Sequence, residues 1–169
     1  MDTSRFEEAL ARVKGLKEDD RLEEAYELIE ELLKEYPLHP TLLIKKSAYA
    51  RLLGRLQSLE DPSEAIDPLE AAIAVSPHNV EARIELGYVE YALKDDSEAA
   101  LKIFEEAGRV AASSLIRAYE GRIKSLVDLG LLDDARVLMD RLRGMFDGFD
   151  DSAEEELEVF DVVLNIPEL

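Results

Sequence analysis

Apolar residues recur at spacings of three and four along most of the chain. Phe6, Leu10 and Val13 form one such series, and the segment from Leu22 to Tyr36 contains another. This spacing places apolar side chains on one face of an α-helix. The sequence has no stretch of alternating polar and β-branched residues, and no Asn-Gly or Asp-Gly turn lies between two such stretches. The signals of β-strands and hairpins are therefore missing. The pattern predicts an all-helical chain.

A second pattern repeats four times along the chain. Four alanines stand 40, 35 and 35 residues apart. A larger side chain follows each alanine after four residues, and a further apolar residue follows it after seven. The alanines are Ala25, Ala65, Ala100 and Ala135; the larger side chains are Ile29, Leu69, Phe104 and Met139; the last positions hold Leu32, Ala72, Ala107 and Leu142. Pro37 and Pro77 follow the first two copies, where a helix is expected to end. The pattern predicts four copies of one helical face.

The third copy carries a recognisable set of residues, Leu86-Gly87-Tyr88, Tyr91-Ala92-Leu93, Ala100, Phe104 and Ala107. It resembles the tetratricopeptide repeat, a helix–turn–helix unit of 34 residues. The resemblance implies an all-α, right-handed superhelical solenoid of antiparallel helix pairs, in which the small residue lets paired helices approach closely. It covers repeats near residues 6–39, 40–79, 80–114 and 115–149, within a single domain over 1–169.

The repeats depart from the family pattern in three places. No repeat has the tryptophan that the family often carries in its first helix, and Leu43 and Tyr119 stand nearest that position. The fourth repeat has Asp147 where a terminal proline is expected. The second repeat holds about six extra residues within 55–61 and two prolines, Pro62 and Pro68, each able to begin a helix. We expect a kinked or late-starting helix there, because a proline inside a helix removes a hydrogen bond.

Residues 150–169 predict one further helix. Ser152 with Glu155 three residues later forms a capping box. An apolar stripe of Leu157, Phe160 and Val163 or Leu164 would cover the open end of the stack, while the acidic residues between them face water. We therefore expect a C-terminal capping helix.

The composition narrows the function. The chain has 20 basic and 39 acidic residues and a net charge of −19, which repels phosphate backbones and argues against nucleic-acid binding. It has no cysteine, which excludes disulfides and thiolate metal sites. The longest apolar run, 71–75, is too short to span a membrane, and the first residues lack a signal-peptide pattern. We expect a cytoplasmic protein that does not contact membranes.

No motif indicates a catalytic, metal or cofactor site. His39 and His78 follow repeat-ending prolines and lie one repeat apart, too far to share a metal ion. Residues 147–158 lack the second ligand and the glycine of a calcium loop, and residues 144–148 lack the lysine and hydroxyl residue of a phosphate-binding loop. We expect no catalytic residue, metal or cofactor, and an enzyme remains only as an alternative.

Basic residues gather in two first helices of repeats. Residues 41–56 hold Lys45, Lys46, Arg51 and Arg55 without an acid, and residues 109–125 hold Arg109, Arg117, Arg122 and Lys124 against Glu120 alone. These bases predict a locally positive surface in a negative molecule. The alternative is that they pair with acids of neighbouring helices.

In the tetratricopeptide family the first helices line a concave groove that holds peptides. The resemblance implies a non-enzymatic interaction module, an adaptor or scaffold, whose groove binds a protein or peptide partner. The basic and aromatic residues of this groove predict a partner segment of acidic or carboxylate character with an apolar anchor. Two alternatives are a small secretion or assembly chaperone and a self-associating scaffold. We expect the protein to be a monomer or a weak homodimer. Alignment with the family implies the groove residues Ile44, Ala48, Arg51, Leu52, Arg83, Ile84, Tyr88, Tyr91, Arg117, Glu120, Lys124 and Val127.

Overall fold

The computed structural model describes residues 3–54, 63–94 and 96–147, and these residues form seven α-helices without a strand. This confirms the all-helical prediction. The predicted capping helix over 150–169 lies outside the described residues. The helices are α1 (Thr3–Glu18), α2 (Leu22–Glu35), α3 (Pro40–Leu52), α4 (Ser63–Val75), α5 (Val80–Lys94), α6 (Ser97–Asp128) and α7 (Leu132–Phe146).

Local sequence explains most of the helix boundaries. Helices α2 and α4 each end two residues before a proline, at Glu35 and Val75, as predicted. The side chain of Asn79 accepts a hydrogen bond from the backbone N–H of Ala82 at 2.9 Å and so caps the start of α5. Gly130 lies between α6 and α7 with a φ of +75°, a backbone conformation that glycine adopts without strain.

Helix α4 excludes one of the two alternatives for the second repeat, the late start, whereas a kink at Pro68 stays a prediction. It begins at Ser63, not at Pro68, and it continues through Pro68. Ala65, Leu69 and Ala72 are all buried on one face of this helix, because they are spaced by four and three residues. Burial of that face stabilises the helix on both sides of the proline, which compensates for the missing N–H.

Helix α6 differs from the predicted repeat boundary. It is a single helix of 32 residues, so the expected junction between residues 114 and 115 lies inside a helix and not in a turn. The first two repeats end at prolines, but residues 107–115 contain none and are rich in alanine. Alanine is the strongest helix former, so nothing in the local sequence stops the helix.

The protein divides into two compact units, residues 1–107 and 108–169. In the first unit, consecutive helices from α1 to α5 pack on one another, and α3 also packs on α5. This contact between alternate helices is the arrangement of stacked helix pairs. In the second unit, the C-terminal part of α6 packs against α7 around Ile116, Ile123, Met139 and Leu142.

The repeating alanines lie in the cores, as the repeat predicts. Ala25, Ala65, Ala100 and Ala135 are each 2% exposed or less. At Ala65 the approach of the helices is visible directly, because the buried hydroxyl of Ser47 on α3 donates to the Ala65 carbonyl at 2.9 Å. The large residues Ile29, Leu69 and Met139 are buried too. The spacing of the sequence repeat therefore matches the spacing of buried positions.

Ala100→Leu tests this packing. The larger side chain has no room at a position 2% exposed, so we expect the free energy of unfolding to fall by about 1–3 kcal/mol. The matched control is Ala74→Leu at an exposed position of α4, for which a change within about 0.5 kcal/mol is expected. Chemical denaturation followed by circular dichroism measures both, and equal stability of the two variants would contradict the assignment of Ala100 to a helix contact.

Candidate partner-binding face

Arg51 at the end of α3 is held by an acidic residue of α5. Its Nε donates to Oε1 of Glu85 at 2.7 Å, and its Nη2 donates to Oε2 at 3.0 Å. Glu85 is only 7% exposed. The hydrogen bonds to Glu85 raise the pKa of Arg51 above its ordinary value, so the guanidinium stays charged. The result is a two-point ion pair that joins the first helices of two repeats.

The same guanidinium lies over an aromatic ring. Its carbon atom is 5.0 Å from the ring centroid of Tyr88, within the range of a cation–π contact. Tyr88 in turn meets Phe104 edge to face, with the ring centroids 5.1 Å apart. Arg51 and Phe104 therefore support the Tyr88 ring from two helices, and 47% of Tyr88 remains exposed.

Gly87 allows the Phe104 ring to lie against α5. A β-carbon at position 87 would stand 2.8 Å from the ring atoms of Phe104, closer than a van der Waals contact allows. The glycine of the Leu86-Gly87-Tyr88 motif thus has a packing role: it admits the ring that supports Tyr88.

Helix α5 carries an exposed apolar row beside this network. Ile84, Tyr88 and Tyr91 are spaced by four and three residues, so they share one face of the helix. They are 39%, 47% and 52% exposed, and Leu52, next to Arg51 on α3, is 44% exposed. We call these four residues the α5 face. Exposed apolar side chains grouped in this way are typical of binding surfaces.

Three other residues expected in the groove from the first unit are less accessible. Ile44 is 2% exposed and belongs to the core, which corrects its assignment to the groove surface. Ala48 is partly buried against the same core. Arg83 is partly buried, and its guanidinium donates to the carbonyl of Asn79 at 3.4 Å. The accessible part of the expected groove in this unit is the α5 face.

The expected residues of the second unit lie along α6. Arg117, Glu120 and Lys124 border an open depression with the small residues Ala118 and Gly121. Lys124 forms an ion pair with Glu120 one turn earlier. Val127 is partly buried against the core formed with α7.

Two of the basic residues pair with acids of neighbouring helices, as the alternative interpretation predicts. Lys46 lies 3.5 Å from Glu30, and Arg51 pairs with Glu85. Lys124 pairs instead with Glu120 of its own helix. Glu85 was not predicted as part of the site. It shares a helix face with buried Ala82 and Val89, so an acid on a core-facing stripe was the sequence signal that pointed to it.

Within residues 3–54, 63–94 and 96–147, no group of three or more metal-binding side chains occurs. In the same ranges no helix has the length and apolar content needed to cross a membrane. His39 precedes α3 without capping it, and its ring packs on Phe6 with centroids 4.4 Å apart.

Arg51→Met tests the buried ion pair. The substitution leaves the Glu85 carboxylate buried without a partner, so we expect a loss of about 1–3 kcal/mol of stability. Arg51→Met combined with Glu85→Leu should recover much of that loss, because it removes both charges. Lys102→Met, which breaks an exposed pair with Glu98, is the control and should cost less than about 1 kcal/mol. A double variant less stable than Arg51→Met alone would contradict this account.

Comparison with known proteins agrees with this architecture. Residues 55–114 match the family model described as a tetratricopeptide repeat, and no curated protein matches the sequence. The fold is similar to the crystal structure of a thermophilic TPR protein from Thermus thermophilus, with a TM-score of 0.53 and 17% identity, covering 95% of this chain and 83% of that chain. Tetratricopeptide repeats generally mediate protein–protein interaction. Residues 55–114 are thus similar to the tetratricopeptide repeat, and the helical fold is similar to that of a tetratricopeptide repeat protein.

Proposed function

We propose that this protein is a non-enzymatic adaptor that binds a segment of a partner protein through the α5 face. The observation that carries the proposal is the exposed row of Ile84, Tyr88 and Tyr91, with Leu52 beside it. Tyrosine offers a large contact area with few rotatable bonds, so ordering it on binding costs little entropy. Such residues dominate the binding energy of many interfaces.

The charges of this region favour an apolar anchor in the partner over a carboxylate. An acidic partner was expected to bind Arg51, but Glu85 already accepts hydrogen bonds from Nε and Nη2 along one edge of that guanidinium. A carboxylate at the same edge would have to displace Glu85, which is 7% exposed and would be left unpaired at a substantial cost. A carboxylate at the remaining edge would meet a guanidinium whose charge Glu85 already offsets. We therefore propose a segment that places apolar or aromatic side chains against Tyr88 and Tyr91.

The alternatives are narrower versions of the same activity. A secretion or assembly chaperone would bind its client segment in this way, and loss of binding would then cause the client to aggregate. A cytoplasmic location, expected from the sequence, stays a prediction.

A photoreactive residue tests where the partner binds. A benzoylphenylalanine in place of Tyr91 should crosslink to a partner in a lysate, and one in place of Leu101, an equally exposed residue of α6 (56% exposed), should not. Mass spectrometry identifies the crosslinked protein and the segment involved.

Tyr88→Ser with Tyr91→Ser should then weaken binding of the identified segment by about tenfold or more, while Leu101→Ser leaves it unchanged. Lys124→Glu should have little effect unless the segment is acidic. Helical circular dichroism and melting temperature establish that each variant is folded. Unaltered binding by a folded Tyr88→Ser/Tyr91→Ser variant would refute the α5 face as the binding site.

A further inference from the structure

A groove runs between the first two helices, apart from the α5 face. Among the described residues it is lined by residues of α1 and α2 and by Tyr36 at the end of α2, and it has a volume of about 270 Å³. Its floor is apolar and consists of Phe6, Ala9, Leu28 and Leu32. We call it the α1–α2 groove.

One end of the groove is fixed by aromatic packing. Phe6 meets Tyr36 edge to face with ring centroids 5.0 Å apart, and Phe6 is 6% exposed. Leu28 and Leu32 are partly buried against the core of the first unit. The floor is therefore held in place by the fold, and its upper surface stays open.

The two rims of the groove carry opposite charges. On α1, Arg5 borders the groove beside Ala9, and Arg12 follows two turns after Arg5 on the same helix face. On α2, Glu31 and Glu35 border it. Among these four side chains the structure records no ion pair across the groove, and all four are exposed.

The position of Arg12 is supported by its effect on α2. The pKa of Glu24 is lowered, mainly by a hydrogen bond from Arg21 and also by the charges of Arg21 and Arg12. Arg12 thus lies within electrostatic range of Glu24, which stands two turns before Glu31 on the same face of α2. The basic rim contains Arg5 and Arg12 and the acidic rim contains Glu31 and Glu35.

This charge pattern is complementary to itself. A two-fold axis parallel to the helices would place α1 of one copy over α2 of the other, at the same level along the groove. The Arg5 end of one copy then lies over the Glu35 end of the other, and the contact is made twice by symmetry. Two helix pairs that meet in this way form a four-helix arrangement with a shared apolar centre.

We propose that the α1–α2 groove is the interface of a weak homodimer, with the basic rim of each copy against the acidic rim of the other. The net charge of −19 per copy opposes association at long range, which keeps the dimer weak.

Charge exchange tests the proposal in the full chain. Arg5→Glu with Arg12→Glu makes both rims acidic, and Glu31→Lys with Glu35→Lys makes both rims basic. Arg5→Glu places an acid near the start of α1, and Glu31→Lys with Glu35→Lys places bases near the end of α2. Both arrangements interact favourably with the helix dipole, so both variants should fold. Sedimentation velocity at protein concentrations up to about 1 mM measures association at the weak limit for a specific complex.

We expect the wild type to self-associate in this range. Each variant alone should have a dimer dissociation constant about tenfold higher or more. Mixing the two variants should restore association as a heterodimer, because both contacts are then complementary. The chain carrying all four substitutions should again form a homodimer. Salt should weaken the restored dimers.

Net charge alone predicts a different outcome. The basic-rim variant has a net charge of −15, against −19 for the wild type, so an effect of overall repulsion would strengthen its association. Lys102→Glu with Arg141→Glu, at exposed positions, matches the −23 of the acidic-rim variant and should lose much less association.

A wild type that stays monomeric throughout, or variants that do not associate on mixing, would overturn the proposal. The α5-face experiments are independent, because Tyr88→Ser/Tyr91→Ser should leave the dimer unchanged.

Discussion

The close approach of helices at small residues is the constraint on which the structure depends. Each repeat places an alanine at a position that is 2% exposed or less, and at Ala65 a serine hydroxyl of the neighbouring helix reaches the backbone carbonyl. A larger side chain there would separate the helices and open gaps along their length. Gly87 extends the same rule to a ring, because only a residue without a β-carbon leaves room for Phe104.

This packing decides which surfaces remain for function. With α3 against α5, the Arg51 guanidinium meets Glu85 and Tyr88. The pair neutralises a charge that the sequence alone would leave available to a ligand, and it helps to hold Tyr88 in place. What the first unit offers a partner at this point is an aromatic and apolar surface supported by a buried ion pair.

The two proposed binding surfaces differ in their physics. The α5 face is apolar, with its charges satisfied internally, so shape and burial of the partner's side chains determine its affinity. The α1–α2 groove has charges of both signs along its rims with no ion pair between them, so electrostatic complementarity determines its partner. One chain can therefore bind a partner segment and a second copy at separate places.

Much of the fold was determined by the sequence alone. The spacing of Ala25, Ala65, Ala100 and Ala135 predicted the buried positions, and Pro37 and Pro77 predicted two helix ends, because periodicity and proline act locally along the chain. The family resemblance also implied Ile84, Tyr88 and Tyr91 as groove residues; all three are exposed, and their part in binding stays a prediction.

Tertiary structure alone decided the remaining features. It buried Ile44, paired Arg51 with an acid 34 residues away, and placed Arg5, Glu31 and Glu35 around one groove. Helix α4 also continues through Pro68, and α6 continues without a turn at residue 114. Pairing, burial and accessibility depend on which helix faces meet, and residues distant in sequence meet only when the chain is packed. Local periodicity therefore identifies the helices and their apolar faces, whereas packing determines which charges remain available to a partner.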